Sequence, residues 1–161
     1  MTKEKQREAR LWELLDGFSV AMVTTIDSGV LRSRPMAPFI DQDAQSISFL
    51  THRSSHKVDE LDADNRAGLT FMSVGSNDYI SVSGTLQTSS DRAKIQSLWG
   101  PYADTWFEAG PTDPNIVVLT MRVEQAEYWD GTLNLIAAAW EIGKSYGASK
   151  TPTIVENEKI G

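Results

Sequence analysis

The chain has 161 residues and a formal net charge of −7, with 22 acidic against 15 basic side chains and no cysteine. That length suits a single domain burying roughly 70% of its unfolded surface, and the missing cysteines exclude disulfides, thiolate nucleophiles and zinc–thiolate centres. The acidity argues against general nucleic-acid binding, no apolar run approaches the roughly 20 residues of a membrane span, and no signal peptide opens the chain, so a cytoplasmic protein without nucleic-acid or membrane partners is expected.

Residues 3–16 place Leu11, Trp12, Leu14 and Leu15 on one helical face, with Gly17 as a stop. Residues 18–26 are rich in β-branched side chains and read as a strand ending at the turn Asp27-Ser28-Gly29. The next segment, 30–40, also reads as extended. There Arg32, Arg34 and Met36 alternate with Leu31, Ser33 and Pro35, so both guanidiniums leave the same face. After a turn at Asp41-Gln42-Asp43, residues 46–51 form a strand expected to pair antiparallel with it. That strand runs into His52-Arg53-Ser54-Ser55-His56-Lys57 and then helical spacing from Val58 to Leu61.

The stretch 31–57 is a basic island in an acidic protein. It holds Arg32, Arg34, Arg53, Lys57, His52 and His56, with Asp41 and Asp43 as its only acids. An anionic ligand is the natural candidate. Hydroxyls and a lysine at a helix start make a phosphate cradle, because free N–H groups point outward there. The plainer reading is that Ser54 or Ser55 only caps the helix while the cations are solvated.

Residues 67–74 form another strand before the turn at 75–78. In 79–87, Ile80, Val82 and Leu86 make an apolar face, and Tyr79, Ser81, Ser83 and Thr85 face the other way. Ser89-Ser90-Asp91 caps a helix through Leu98. Gly100-Pro101 and 110–114 bracket a short segment with Trp106 and Phe107, for which, as for Trp99, apolar packing is expected. Residues 116–123 and 126–129 read as two strands, 133–146 as a final helix and 147–161 as a loose polar tail. With no repeat and no linker, 1–161 is one α+β, barrel-like domain with its core over about 11–146.

The sequence holds no GxGxxG before a helix, no P-loop, no GxSxG and no HExxH. No metal site is expected, and no set of acid, base and nucleophile names a catalytic residue. A reactive group would come from a bound cofactor.

Arg34-Pro35-Met36, Phe49-Leu50-Thr51 and Ser55-His56-Lys57, in that order and spacing, resemble the flavin-binding split-barrel family typified by pyridoxamine 5′-phosphate oxidase. Asp91-Arg92-Ala93-Lys94-Ile95, Leu98-Trp99, Trp106-Phe107, 110–114 and Glu127-Tyr128-Trp129-Asp130 resemble its general-stress-protein branch. The resemblance covers about 11–146. It implies a split β-barrel that forms a homodimer with FMN, or FAD or another flavin, at the subunit interface.

By the same resemblance, Arg34 lies near the flavin and its phosphate, Pro35, Met36 and Ala37 run beside the ring, and Leu50 and Thr51 are strand contacts. Ser55 and Lys57 match the phosphate loop, His56 stands where some relatives carry arginine, and Tyr79 where relatives often carry glutamine. Trp129 matches a tryptophan that reaches the cofactor from the neighbouring subunit, its plainer role being a core or interface aromatic. The functions implied are a flavin-dependent oxidoreductase of unknown substrate or a non-catalytic flavin-binding, sensing or storage module. A deazaflavin or haem binder on the same barrel is the third. Oxidation of pyridoxine phosphate itself is not expected, because no arginine or histidine follows Trp129.

Overall fold

The structure, a computed structural model, describes residues 1–132 and 158–160. One antiparallel sheet contains β1 (Ala21–Asp27), β2 (Val30–Met36), β3 (Phe39–Asp41), β4 (Ser46–His52), β5 (Arg66–Ser73), β6 (Asp78–Ser89), β7 (Ile116–Trp129) and β8 (Glu158–Ile160). Around it lie α1 (Lys3–Asp16), α2 (His56–Ala63), α3 (Arg92–Leu98) and α4 (Pro101–Trp106). The helix starts follow local chemistry. Thr2 Oγ1 accepts from the Lys5 amide, Asp91 accepts from the amides of Ala93 and Lys94, and Pro101 occupies the first turn of α4.

The strand order β2-β1-β5-β6-β7-β4-β3 explains the barrel. β2 and β3 are the two ends of this path, yet only Ala37 and Pro38 separate them in the chain. Two residues cannot span a flat sheet of seven strands at about 4.8 Å each, so the sheet curls until its edges meet. The tight β1–β2 hairpin matches this twist, with Ser28 and Gly29 both at positive φ, 52° and 83°.

Two cores result. The inner one gathers Leu11, Trp12 and Leu15 of α1 with Val23, Phe49, Leu69, Phe71, Ile80 and Leu119 of the strands. A second lies under α3 and α4, with Leu50, Ile95, Ala103, Phe107, Ile116 and Val118. β4 and the first half of β7 separate the two, which is why 47–51 and 116–119 are buried without alternation.

The barrel-like α+β expectation is met, and the helices at 3–16 and 92–98 lie where the sequence puts them. Four details differ. Residues 30–40 are two strands: β2 pairs with β1, and only β3 pairs with β4. Residues 116–129 are one strand, because the extra residue at Glu124 is absorbed as a bulge opposite Ser83 and Gly84. Gly84 is required there, since a Cβ would sit 2.0 Å from the Arg122 carbonyl oxygen. The segment around Trp106 is a helix, and Trp106 is exposed, whereas Phe107 is buried. Residues 158–160 of the expected tail form β8 against β7, burying Ile160 partly in the inner core. The helix expected over 133–146 lies outside the described residues. Among those described, no helix is long and apolar enough to cross a membrane.

Candidate functional site

The site forms where α2 packs on the β1–β2 hairpin. In the β1–β2 register Arg34 lies opposite Val23 and Arg32 opposite Thr25, so both arginines share the face that β1 turns to the core. Arg34 meets a buried carboxylate there. Its Nη2 donates to Glu60 Oε2 at 2.8 Å, and its Nη1 donates to Thr25 Oγ1, which in turn donates to Glu60 Oε2. Thr25 and Glu60 are both buried. Burial alone would raise the Glu60 carboxyl, but the bonds from Thr25 and Arg34 outweigh it and hold it below the usual carboxylate range. Glu60 sits between Val58 and Leu61, the apolar residues of α2 that face the barrel, and so points inward with them.

One turn earlier on α2, Lys57 Nζ donates to Thr51 Oγ1 at 2.9 Å, and Thr51 Oγ1 lies 3.3 Å from Ser55 Oγ. Ser55 is the N-cap residue of α2 but its side chain makes no capping bond. The hydroxyl is turned to Thr51 instead, and the plain capping role is not the one adopted. Burial lowers the Lys57 ammonium, and the Arg34 charge lowers it further. Two cations, two hydroxyls and the start of an eight-residue helix thus share one corner.

The exposed flank of this corner holds a second group. Arg32 Nη1 bonds Asp27 Oδ2 at 2.8 Å, and His56 Nε2 lies 3.4 Å from the same oxygen and 3.7 Å from Glu60 Oε1. Arg32 and then His56 hold the Asp27 carboxyl below its ordinary range.

The basic island divides. His52 and Arg53 turn away from α2: His52 Nδ1 meets Asn115 Nδ2 at 3.2 Å and its ring packs on Phe107, while Arg53 bonds Ser90.

The pyridoxamine 5′-phosphate oxidase-like family model matches residues 6–153. The chain belongs to this family. Among relatives, protein bli-3 of Neurospora crassa is 28% identical over 151 residues, 87% of this chain and 72% of that protein. A general-stress-protein-26-type structure from Jannaschia sp. CCS1 aligns with a TM-score of 0.75 at 25% identity, covering 99% of both chains. The general stress FMN/FAD binding protein of Xanthomonas citri aligns with a TM-score of 0.69 at 28% identity, covering 79% of this chain and 90% of that one.

The other positions matched to the pyridoxamine 5′-phosphate oxidase-like family fall in three places. Met36 packs partly into the inner core, and Ala37 lies in the β2–β3 link. Leu50 is buried in the second core, so its side chain serves packing. Pro35, Tyr79 and Trp129 belong to the outer face of the sheet, where Pro35 is opposite Met22 and Tyr79 is flanked by Met72 and Trp129. That face exposes Met22, Met72 and Tyr79, which is apolar surface of the kind that marks an interface.

Glu60, Thr25 and Asp27 are the site residues the sequence reading missed. The signal for Glu60 was present: a carboxylate between two inward positions of a short amphipathic helix. Thr25 and Asp27 lie about thirty residues before α2, and only the fold brings them there.

Proposed function

We propose that the chain binds FMN, with its phosphate at Arg34, Thr51, Ser55 and Lys57, and acts as a flavin-dependent oxidoreductase. The supporting observation is the corner at the start of α2, where burial and the nearby Arg34 charge disfavour the Lys57 ammonium and Ser55 leaves its capping role for the Thr51 side. An anion relieves the repulsion between two such cations, and the helix N-terminus favours it. The X. citri relative named for FMN/FAD binding supports the same ligand class. His56 borders this corner from its exposed side.

A bound flavin supplies the electron or hydride transfer. The residues of this chain hold the phosphate, orient the ring along 34–37 and shield it. The outer sheet face with Met22, Met72, Tyr79 and Trp129 supports a second copy as the shield, giving a homodimer with paired sites. The non-catalytic flavin module stays as the second reading, because the groups gathered at the corner are binding groups and none is placed as a proton donor or acceptor for a substrate.

Fluorescence titration of the full chain with FMN, FAD and riboflavin tests the ligand. Saturable binding with FMN tighter than riboflavin is expected, and no binding of any flavin overturns the reading. Anaerobic bleaching of the yellow complex by NADH or NADPH supports the oxidoreductase. A flavin complex that no reductant bleaches supports the module.

A further inference from the structure

The exposed flank of the corner carries a separate feature. Asp27, at the end of β1, meets His56 and Glu60, which are one turn apart on the same face of α2, and their potential ligand atoms all lie within 4.8 Å of one another. The spacing is informative. His56 Nε2 lies 3.4 Å from Asp27 Oδ2 and 3.7 Å from Glu60 Oε1. Both distances exceed the 2.7–3.2 Å usual for N–H···O bonds. They are close to the edge of a tetrahedron around a metal with bonds of about 2.0–2.1 Å, which is roughly 3.4 Å.

A second observation points to the same ligand. Glu60 Oε1 is buried without a hydrogen-bond partner among the described residues, although Oε2 is fully engaged by Arg34 and Thr25. A carboxylate oxygen left bare in the interior needs a positive partner. The His56 nitrogen lies 3.7 Å from it, too far for a hydrogen bond but placed to share an ion.

We propose that Asp27, His56 and Glu60 bind a divalent transition-metal ion of the zinc class, with water in the remaining position. One imidazole nitrogen and two carboxylate oxygens suit such an ion, whereas magnesium and calcium prefer larger sets of oxygens. The exposed side of His56 leaves the fourth position open to solvent. Arg34 and Thr25 hold Glu60 through Oε2 and leave Oε1 to the ion, while Arg32 fixes Asp27 through Oδ2, the oxygen that also faces His56. The two guanidiniums also balance the two carboxylates, so the ion is held by its ligand bonds rather than by net charge. It is an exchangeable ion. The sequence reading expected no metal because the third ligand comes from a different element and fits no local motif.

The test needs no flavin, so its failure bears on the metal alone. Tag-free full-length protein, stripped with chelator, is titrated with zinc chloride by calorimetry and with cobalt chloride by visible absorption. One zinc per chain is expected, along with the intense bands of tetrahedral cobalt and no competition by magnesium. His56→Ala, at an exposed side chain, should weaken zinc at least tenfold and abolish the cobalt bands with an unchanged circular dichroism spectrum. Asp27→Asn should weaken zinc similarly. Zinc that fails to bind, binds equally well to His56→Ala, or is displaced by equimolar magnesium overturns the proposal.

Discussion

Replacing Lys57 by alanine tests the proposed phosphate site separately from the rest of a flavin. Lys57 is half-buried, bonds Thr51 at 2.9 Å and shares its corner with Arg34. A hydrogen bond to a charged group contributes about 1.5–3 kcal/mol, and each 1.4 kcal/mol is tenfold in affinity. Lys57→Ala should therefore weaken FMN by about ten- to a hundredfold. Riboflavin, which lacks the phosphate, should lose little. The free protein should respond in the opposite sense. Burial and the Arg34 charge both disfavour the ammonium, so removing it should leave the melting temperature unchanged or slightly raised. Flavin fluorescence titration gives the two affinities, and differential scanning fluorimetry gives the stability. Equal weakening of FMN and riboflavin by Lys57→Ala would show that the phosphate is held elsewhere.

Arg34→Ala should instead damage folding. It removes the cation from buried Glu60, a change that costs about 3–5 kcal/mol for a fully buried pair and less here because Arg34 is partly exposed; urea denaturation measures it. Gly131→Ala should lower the melting temperature by roughly 6–12 °C, from a cost of about 3 kcal/mol, since its Cβ would lie 1.8 Å from the Ser76 carbonyl oxygen. Met72→Glu on the outer sheet face should convert a dimer into monomers in light scattering, and an unchanged dimer would place the interface elsewhere. The flavin-loaded protein should not oxidise pyridoxine or pyridoxamine phosphate in a coupled assay, because 123–161 contains no arginine or histidine to hold that substrate.

What the sequence could show depended on the range of each interaction. Alternation in 79–87 and the spacing of Leu11, Trp12 and Leu15 are local patterns, and both gave the right element and buried face. The break at Ala37-Pro38 was not legible, because every residue from Val30 to Ile40 tolerates an extended backbone. The change of partner, from β1 to β4, is a property of barrel closure. The bulge at Glu124 was misread for a related reason: two polar residues inside an apolar run look like a turn until the neighbouring strand supplies Gly84 to accept them. The grouping of cations in 31–57 took in more residues than the fold brings to one corner. His52 and Arg53 follow the end of β4 towards Asn115 and Ser90, and sequence proximity carries no information about that direction.

Arg34 is fixed in place by the fold itself, which suits the anion site proposed at this corner. A guanidinium free in solvent would adjust to any ligand at an entropic cost. Here Glu60 and Thr25 fix it from the core side, and that pairing ties α2 to the β1–β2 hairpin. The helix carrying Ser55 and Lys57 is therefore set against the strand carrying Arg34 before any ligand arrives. In the proposed FMN site Arg34 contributes chiefly by location, as a positive charge held beside Lys57, and Lys57 is the cation proposed to meet the phosphate directly. This division explains why the two alanine variants should differ: loss of Lys57 is read in affinity, and loss of Arg34 is read first in the stability of the fold.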